Sequence, residues 1–307
     1  MDVSVILPAY DEGENLVPVV SELVAVLDGL DRKFEVIVVD DGSRDATPDA
    51  IAELRSRCDQ VRSVRLRRNT GKAAALAIGL GRATGAVVVL MDADGQDEPA
   101  AIPAMLRSLD DGLDLVTGRR VDRQHGLVKR RTSRVYNFAT SKVTGVKGQD
   151  FNSGLKAMRH EVAGSLNLYG ELHRYIPVLA AWTGFRVGEI DVPHRARLHG
   201  ETKFGRARFW RGFLDLVTVR FLATYNARPL HLFGGVGATV GMIGSGLLVW
   251  MLVERLLGRG IGGRPAFITG VLLVIVAVQL VSLGLIAELV VHYAARRESA
   301  PPIEEDP

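Results

Sequence analysis

Val3-Ser4-Val5-Ile6-Leu7-Pro8-Ala9-Tyr10-Asp11-Glu12 opens with an apolar run, is stopped by proline and then turns polar and acidic. The same form returns at Phe34-Glu35-Val36-Ile37-Val38-Val39 and at Ala86-Val87-Val88-Val89-Leu90-Met91. These runs are nearly continuous rather than alternating, the pattern of strands covered on both faces. Between them, residues 15–29, Thr47–Arg57 and 71–84 space their apolar side chains by three and four, with Gly or Pro as punctuation, which predicts helices. Strand alternating with helix predicts an α/β fold around a Rossmann-like, mostly parallel sheet. Ligands of such sheets bind beyond the carboxyl ends of the strands, so the loops that follow the runs carry the functional information.

Those loops are acidic. Asp40-Asp41-Gly42-Ser43-Arg44-Asp45 follows the second run and Asp92-Ala93-Asp94-Gly95-Gln96 the third. The first loop lacks the G-x-G-x-x-G turn of a dinucleotide site, and Asn69-Thr70-Gly71-Lys72 lacks the spacing of a P-loop. Asp92 and Asp94, two residues apart at a strand end, can hold a hard divalent cation such as Mg²⁺ or Mn²⁺ and leave positions open for phosphate oxygens. A bare Asp-x-Asp also occurs as loop-solvating or helix-capping acids; here its place after a buried strand favours the metal. Asp40 and Asp45 read equally well as turn and N-cap residues for the helix at Thr47.

The rear of the chain has a different composition. Residues 231–253 and 265–287 are each 23 residues long without a formal charge. About 20 apolar residues cross a bilayer core, so these stretches predict a transmembrane hairpin. Residues 254–264 connect them with four glycines, returning both outer ends to one side. The apolar amino-terminal run has no basic region before it and no cleavage site after it, so no signal peptide is expected. The lone Cys58 agrees with a reducing compartment, and arginine placement weakly favours a cytoplasmic catalytic domain. A formal charge of only +3 over 307 residues fits no nucleic-acid partner.

Val3 to Asn15, Val38-Val39-Asp40-Asp41-Gly42-Ser43-x-Asp45, Asn69-x-Gly71-Lys72 and Met91-Asp92-Ala93-Asp94-Gly95-Gln96 together resemble the nucleotide-sugar domain of glycosyltransferase family 2, with its GT-A fold. Further along, Gly118-Arg119-Arg120, Asp150-x-x-Ser153-Gly154, Glu171-Leu172-His173-Arg174-Tyr175-Ile176-Pro177 and Arg197-x-x-Gly200-x-Thr202-Lys203 resemble the polyprenyl-phosphate branch, which includes dolichyl-phosphate mannosyltransferases and undecaprenyl-phosphate glucosyltransferases. The resemblance implies nucleotide-sugar contacts from Pro8, Ala9, Tyr10, Glu12, Asp41, Lys72, Asp92, Ala93 and Asp94, and a metal held by Asp92, Asp94 and Gln96. It implies catalytic roles for Asp92, Asp94, Asp150 and Arg120, and acceptor-phosphate contacts from Arg120, Arg130, Arg131, Arg174, Arg197 and Lys203. Asp11 stands where Asn is usual and Thr202 where Ser is usual; His199 replaces an Arg of some relatives. No Gln-x-x-Arg-Trp sequence is present, which separates the chain from processive polysaccharide synthases.

The expected layout is a GT-A domain over residues 1–203, interfacial amphipathic helices over 204–229, a two-helix transmembrane hairpin over 230–292 and a cytoplasmic tail over 293–307. The expected reaction is inverting transfer of a hexose from a UDP- or GDP-sugar to a polyprenyl phosphate at a membrane. Seven basic residues against one acid in 119–134 suit an anionic acceptor, although basic runs also form solvated faces or adhere to lipid. Asp150 reads either as a base or as a structural acid, and His173 as a core residue. Gly237-x-x-x-Gly241 fits either packing within the hairpin or a homo-oligomer. Transfer to another lipid, nucleotidyl transfer, or a non-catalytic nucleotide-sugar-binding membrane scaffold are the competing functions.

Overall fold

A computed structural model describes residues 1–121, 140–141, 144–146, 148, 150–193, 195, 229–258 and 265–295. It divides into an α/β unit and a pair of long helices. In the α/β unit the order is β1 (Val3–Ala9), α1 (Gly13–Asp28), β2 (Phe34–Asp40), α2 (Thr47–Arg57), β3 (Val61–Arg65), α3 (Lys72–Leu80), β4 (Val87–Leu90) and α4 (Ile102–Asp110). Then follow β5 (Leu115–Arg120), β6 (Lys156–Arg159), α5 (His160–Ser165), α6 (Ile176–Trp182) and β7 (Val187–Val192).

The seven strands form one sheet in the order β3-β2-β1-β4-β6-β5-β7. All neighbours are parallel except β6, which runs antiparallel to both β4 and β5. The apolar runs are continuous because both faces are covered. Val5, Leu7, Val36, Val38 and Val89 pack under α1, α2 and α4, whereas Ile6, Ile37, Val39, Val88 and Leu90 pack against α3, α5 and α6. The register pairs Val3 with Phe34 and with Val87, and Ala9 with Asp40. Consequently β1 and β2 end side by side, β4 stops opposite Ile6, and the acidic loops that follow all three emerge along one edge.

At the opposite edge a buried carboxylate ties the strand starts together. Glu35 accepts hydrogen bonds from Ser4 Oγ at 2.7 Å, Thr84 N at 2.9 Å and Thr84 Oγ1 at 2.6 Å, and pairs with Arg62 at 2.8 Å.

In the second unit, α7 (Pro229–Leu256) and α8 (Pro265–Ala295) are long and apolar enough to cross a membrane. They lie antiparallel, with a glycine seam between them. A Cβ at Gly237 would fall 3.0 Å from Val281 and 3.1 Å from the Ala277 carbonyl; one at Gly244 would fall 2.9 Å from the Gly270 carbonyl. The sequence left open what this seam packs against, and in the fold it is spent within the hairpin. Residues 204–228, expected as interfacial helices, and 296–307, most of the expected tail, lie outside the described residues.

Candidate active site

The first two loops are laced to each other. Asp11 stands at φ 51, a left-handed conformation that Asn and Asp tolerate better than other non-glycine residues. Its side chain accepts the Arg44 amide at 2.9 Å, while its own amide donates to Ser43 Oγ at 3.0 Å. Asp45 accepts the amides of Gly13 and Thr47 at 3.0 and 2.9 Å, so it ties down the first residues of both α1 and α2 from the loop before α2. These bonds, with the Thr47 side chain, hold its carboxyl below the ordinary range against the contrary effect of burial. Asp40 is also internal, accepting Ser43 N at 2.8 Å and pairing with Arg65. Asp41 accepts Thr70 N and Oγ1 at 2.7 and 2.9 Å and Gly71 N at 2.8 Å, fixing the turn that delivers Lys72 to the edge. Pro8 and Ala9 end β1, and Tyr10 and Glu12 follow in the first loop, where Glu12 accepts Asn15 Nδ2 at 2.6 Å.

The third loop lies beside them, since Met91 N continues the β1 pairing by donating to Ile6 O at 3.1 Å. Asp92 is ion-paired with Lys72, and Asp94 accepts the Gln96 amide at 3.1 Å. Ala93 is buried between the two acids, which point to the more open side. Burial alone would raise the Asp92 carboxyl; the charges of Lys72 and Lys156 lower it instead. Asp97 follows in the same loop, buried, and its oxygen accepts Asp92 N at 3.3 Å. Burial and the negative charge of Asp92 push its carboxyl up to about 7. A Cβ at Gly154 would fall 2.6 Å from both Asp92 and Asp97, so only glycine fits beneath this loop.

The donor set suits a hard divalent cation. Asp92, Asp94 and Gln96 offer carboxylate and amide oxygens, and among the described residues no group of three His, Cys, Asp or Glu side chains forms a complete metal cage. A partial shell of this kind leaves places for diphosphate oxygens.

On the other side of Asp92 the sheet supplies cations. Arg120 ends β5 and pairs bidentately with Asp150, Nε at 2.7 Å and Nη2 at 3.0 Å; the Asp150 side chain is 2% exposed. Burial would lower the Arg120 guanidinium, but Asp150 raises it. Lys156, on β6 opposite Leu90, is buried and donates to the Ser153 carbonyl. Burial and the neighbouring Lys72 bring its ammonium down to about 8. His173 and Arg174 come from the turn before α6; Arg174 pairs with Glu171 at 2.9 Å. Burial and the surrounding cations push His173 down to about 3, leaving a neutral imidazole.

Thus the fold brings Pro8, Ala9, Tyr10, Glu12, Asp41, Lys72, Asp92, Ala93, Asp94 and Gln96 to one edge, and gathers Arg120, Asp150 and Arg174 near Asp92. Arg130, Arg131, Arg197 and Lys203 lie outside the described residues. Sequence reasoning missed Asp97, Lys156 and the position of His173, which lines the cavity beside Asp92 instead of filling the core. Asp97 directly follows the Asp92–Gln96 run and Lys156 stands three residues after Ser153, so both were adjacent to motifs already in view. Arg195 clamps Glu22 through two bonds of 2.8 Å and Glu98 at 3.0 Å.

Residues 4–166 match the family described as Glycosyl transferase family 2. The dodecaprenyl-phosphate galacturonate synthase of Rhizobium johnstonii is 35% identical over 98% of this chain and 91% of its own. This chain belongs to glycosyltransferase family 2, in its polyprenyl-phosphate branch. Another member, the undecaprenyl-phosphate 4-deoxy-4-formamido-L-arabinose transferase of Edwardsiella ictaluri, is 33% identical over 94% of this chain and 88% of its own. Among solved structures, glucosyl-3-phosphoglycerate synthase from Mycobacterium tuberculosis, in complex with Mn²⁺, UDP-glucose and phosphoglyceric acid, shares the GT-A fold: TM-score 0.56 and 20% identity over 72% of this chain and 79% of that one. For this family member, the mixed seven-stranded sheet is therefore a GT-A domain, accompanied by two candidate membrane spans.

Proposed function

We propose that the protein transfers a hexose or hexose derivative from a UDP- or GDP-sugar to a polyprenyl phosphate, with inversion, on the cytoplasmic face of a membrane that α7 and α8 span. The observation that carries this reading is the register that sets Asp92 and Asp94 at the same sheet edge as the Tyr10 and Asp41 loops, with Arg120 close behind. The full-length relatives named for polyprenyl-phosphate sugar transfer support the acceptor class.

In this reaction an acceptor phosphate oxygen attacks the anomeric carbon while the bond from that carbon to the diphosphate oxygen breaks on the opposite side. The nucleoside diphosphate departs with the electron pair. A phosphate monoester is largely ionised at neutral pH, its second pKa being about 6, so no strong base is needed. Pro8, Ala9, Tyr10, Glu12 and Asp41 shape the nucleotide side, and Lys72 offsets charge next to Asp92. Mg²⁺ or Mn²⁺ held by Asp92, Asp94 and Gln96 would supply charge stabilisation to the departing diphosphate. Arg120, Arg174 and the basic residues Arg130, Arg131, Arg197 and Lys203 are assigned to the acceptor phosphate; guanidinium groups bind phosphate bidentately. Asp150 orients Arg120 through both its oxygens, which fits a positioning acid better than a base.

The test is a detergent assay of the full chain with undecaprenyl phosphate, Mg²⁺ or Mn²⁺ and a panel of radiolabelled UDP- and GDP-sugars. One donor is expected to yield lipid-linked sugar. EDTA should abolish the product, and Asp92→Asn should lower turnover by about two to three orders of magnitude. Product on a diacylglycerol acceptor alone would move the reading to another lipid, and donor binding without any product would make the chain a scaffold.

A further inference from the structure

Against Asp92 lies a small, partly open cavity of about 30 Å³. Lys72, Asp92 and Lys156 form its polar side and Leu76, Leu90 and Ile176 its back. Two further lining groups stand out. Ser153 Oγ and His173 Nδ1 are both buried, and neither has a hydrogen-bond partner among the described residues. Buried polar atoms in native proteins are nearly always satisfied, by protein, water or ligand. Here two orphans from separate segments, one before β6 and one before α6, converge on one cavity.

The cavity's chemistry selects its occupant. The cations that line it already have partners, Lys72 with Asp92, Lys156 with the Ser153 carbonyl and Arg174 with Glu171, and Asp92 itself brings a negative charge to the cavity wall, which disfavours a further anion inside it. A serine hydroxyl can donate or accept and an imidazole nitrogen does one or the other, so together they match a group able to do both. A hydroxyl is such a group. Asp92 borders the cavity and belongs to the loop assigned to the diphosphate, so the sugar attached to that diphosphate is the nearest part of the substrate able to present one.

Resting on the reading above, we propose that this cavity is the recess for one hydroxyl of the transferred sugar, and that Ser153 and His173 hydrogen-bond it and thereby set donor specificity. A site built to hydrogen-bond a hydroxyl discriminates against the analogue that lacks it, because its buried polar groups are left unpaired.

The test is a cycle of enzyme variants and deoxygenated donors. Wild type, Ser153→Ala and His173→Leu are assayed with the UDP- or GDP-hexose that yields lipid product and with its 2-, 3-, 4- and 6-deoxy derivatives. Deoxygenation at one position should cost wild type roughly tenfold or more in kcat/KM. That penalty should shrink towards onefold in both variants, at the same position. Binding of UDP or GDP alone, measured by calorimetry, should be unchanged. Penalties that persist undiminished in both variants would overturn the recess, as would variants that weaken the bare nucleotide as much as the sugar nucleotide. Ser153→Ala removes one oxygen without changing shape, so it tests the idea even if His173→Leu folds poorly. Failure of wild type to make lipid product from any donor would instead remove the underlying reading.

Discussion

Asp150 shows how a single contact bears on roles that the sequence leaves level. Its two oxygens face Nε and Nη2 of Arg120, and Arg120 also donates to the Asn152 carbonyl at 3.1 Å. A carboxylate with both oxygens held by a guanidinium is fixed in place and fixes its partner in turn, the geometry of a positioning group. Removing one partner of a buried ion pair leaves an uncompensated charge, which costs about 3 kcal/mol or more. Asp150→Asn should therefore lower the melting temperature of the detergent-solubilised protein markedly, with residual turnover keeping the wild-type pH profile. A variant with unchanged melting temperature, collapsed turnover and an altered pH profile would show Asp150 acting directly on the acceptor. The other acids divide along similar lines: Asp45 ties down helix starts and Asp41 fixes a turn, whereas Asp92 and Asp94 lie at the more open edge.

Among the elements, the sequence displayed what burial made uniform. β1, β2 and β4 lie in the centre of the sheet with both faces covered, so their runs are apolar and legible. β3 and β7 are edge strands whose residues alternate or face solvent, and β6 contains Lys156 and Arg159; none carries a period that separates it from loop. The antiparallel insertion of β6 is a property of long-range pairing, invisible to local pattern. The acidic loops were legible because each follows a legible strand, whereas the cavity beside Asp92 draws on α3, β6 and the turn before α6, segments distant in the chain. In the hairpin the glycines were visible but their partner was not. A Cβ at Gly244 would fall 2.9 Å from Leu273 Cβ and from the Gly270 carbonyl, while one at Gly246 would meet nothing within 4 Å. Overpacking a close contact costs about 1–3 kcal/mol, so Gly244→Leu should lower the melting temperature in detergent and Gly246→Leu should not. The reverse order would place the functional contact on the outer face of α7, as in a homo-oligomer.

The α/β unit as a whole is anchored at two edges with different duties. The carboxyl edge concentrates charge for substrate, while the amino edge is closed by Glu35, which joins β1 through Ser4, β3 through Arg62 and the turn before β4 through Thr84. Gly85 completes this closure: its amide donates to Ser4 Oγ at 2.8 Å, and a Cβ there would fall 2.6 Å from Ser4 N. The Glu35 side chain is 1% exposed, and burial on its own would raise its carboxyl. The bonds from Thr84 and Ser4, with Arg62, more than reverse that effect and bring it from 4.5 down to about 2. Because the folded value lies below the unfolded one, the resulting stability is fully present above about pH 4.5 and is lost as pH falls towards 2. A difference of this size corresponds to about 3 kcal/mol. Unfolding of wild type and Glu35→Gln, followed in detergent from pH 7 down to pH 2.5, should give curves that converge in acid: wild type is the more stable at neutral pH, and most of its advantage disappears between pH 4.5 and 2.5. Parallel curves across that window would mean that the Glu35 cluster holds the strand ends by shape alone, without the charge-dependent contribution that its hydrogen bonds imply.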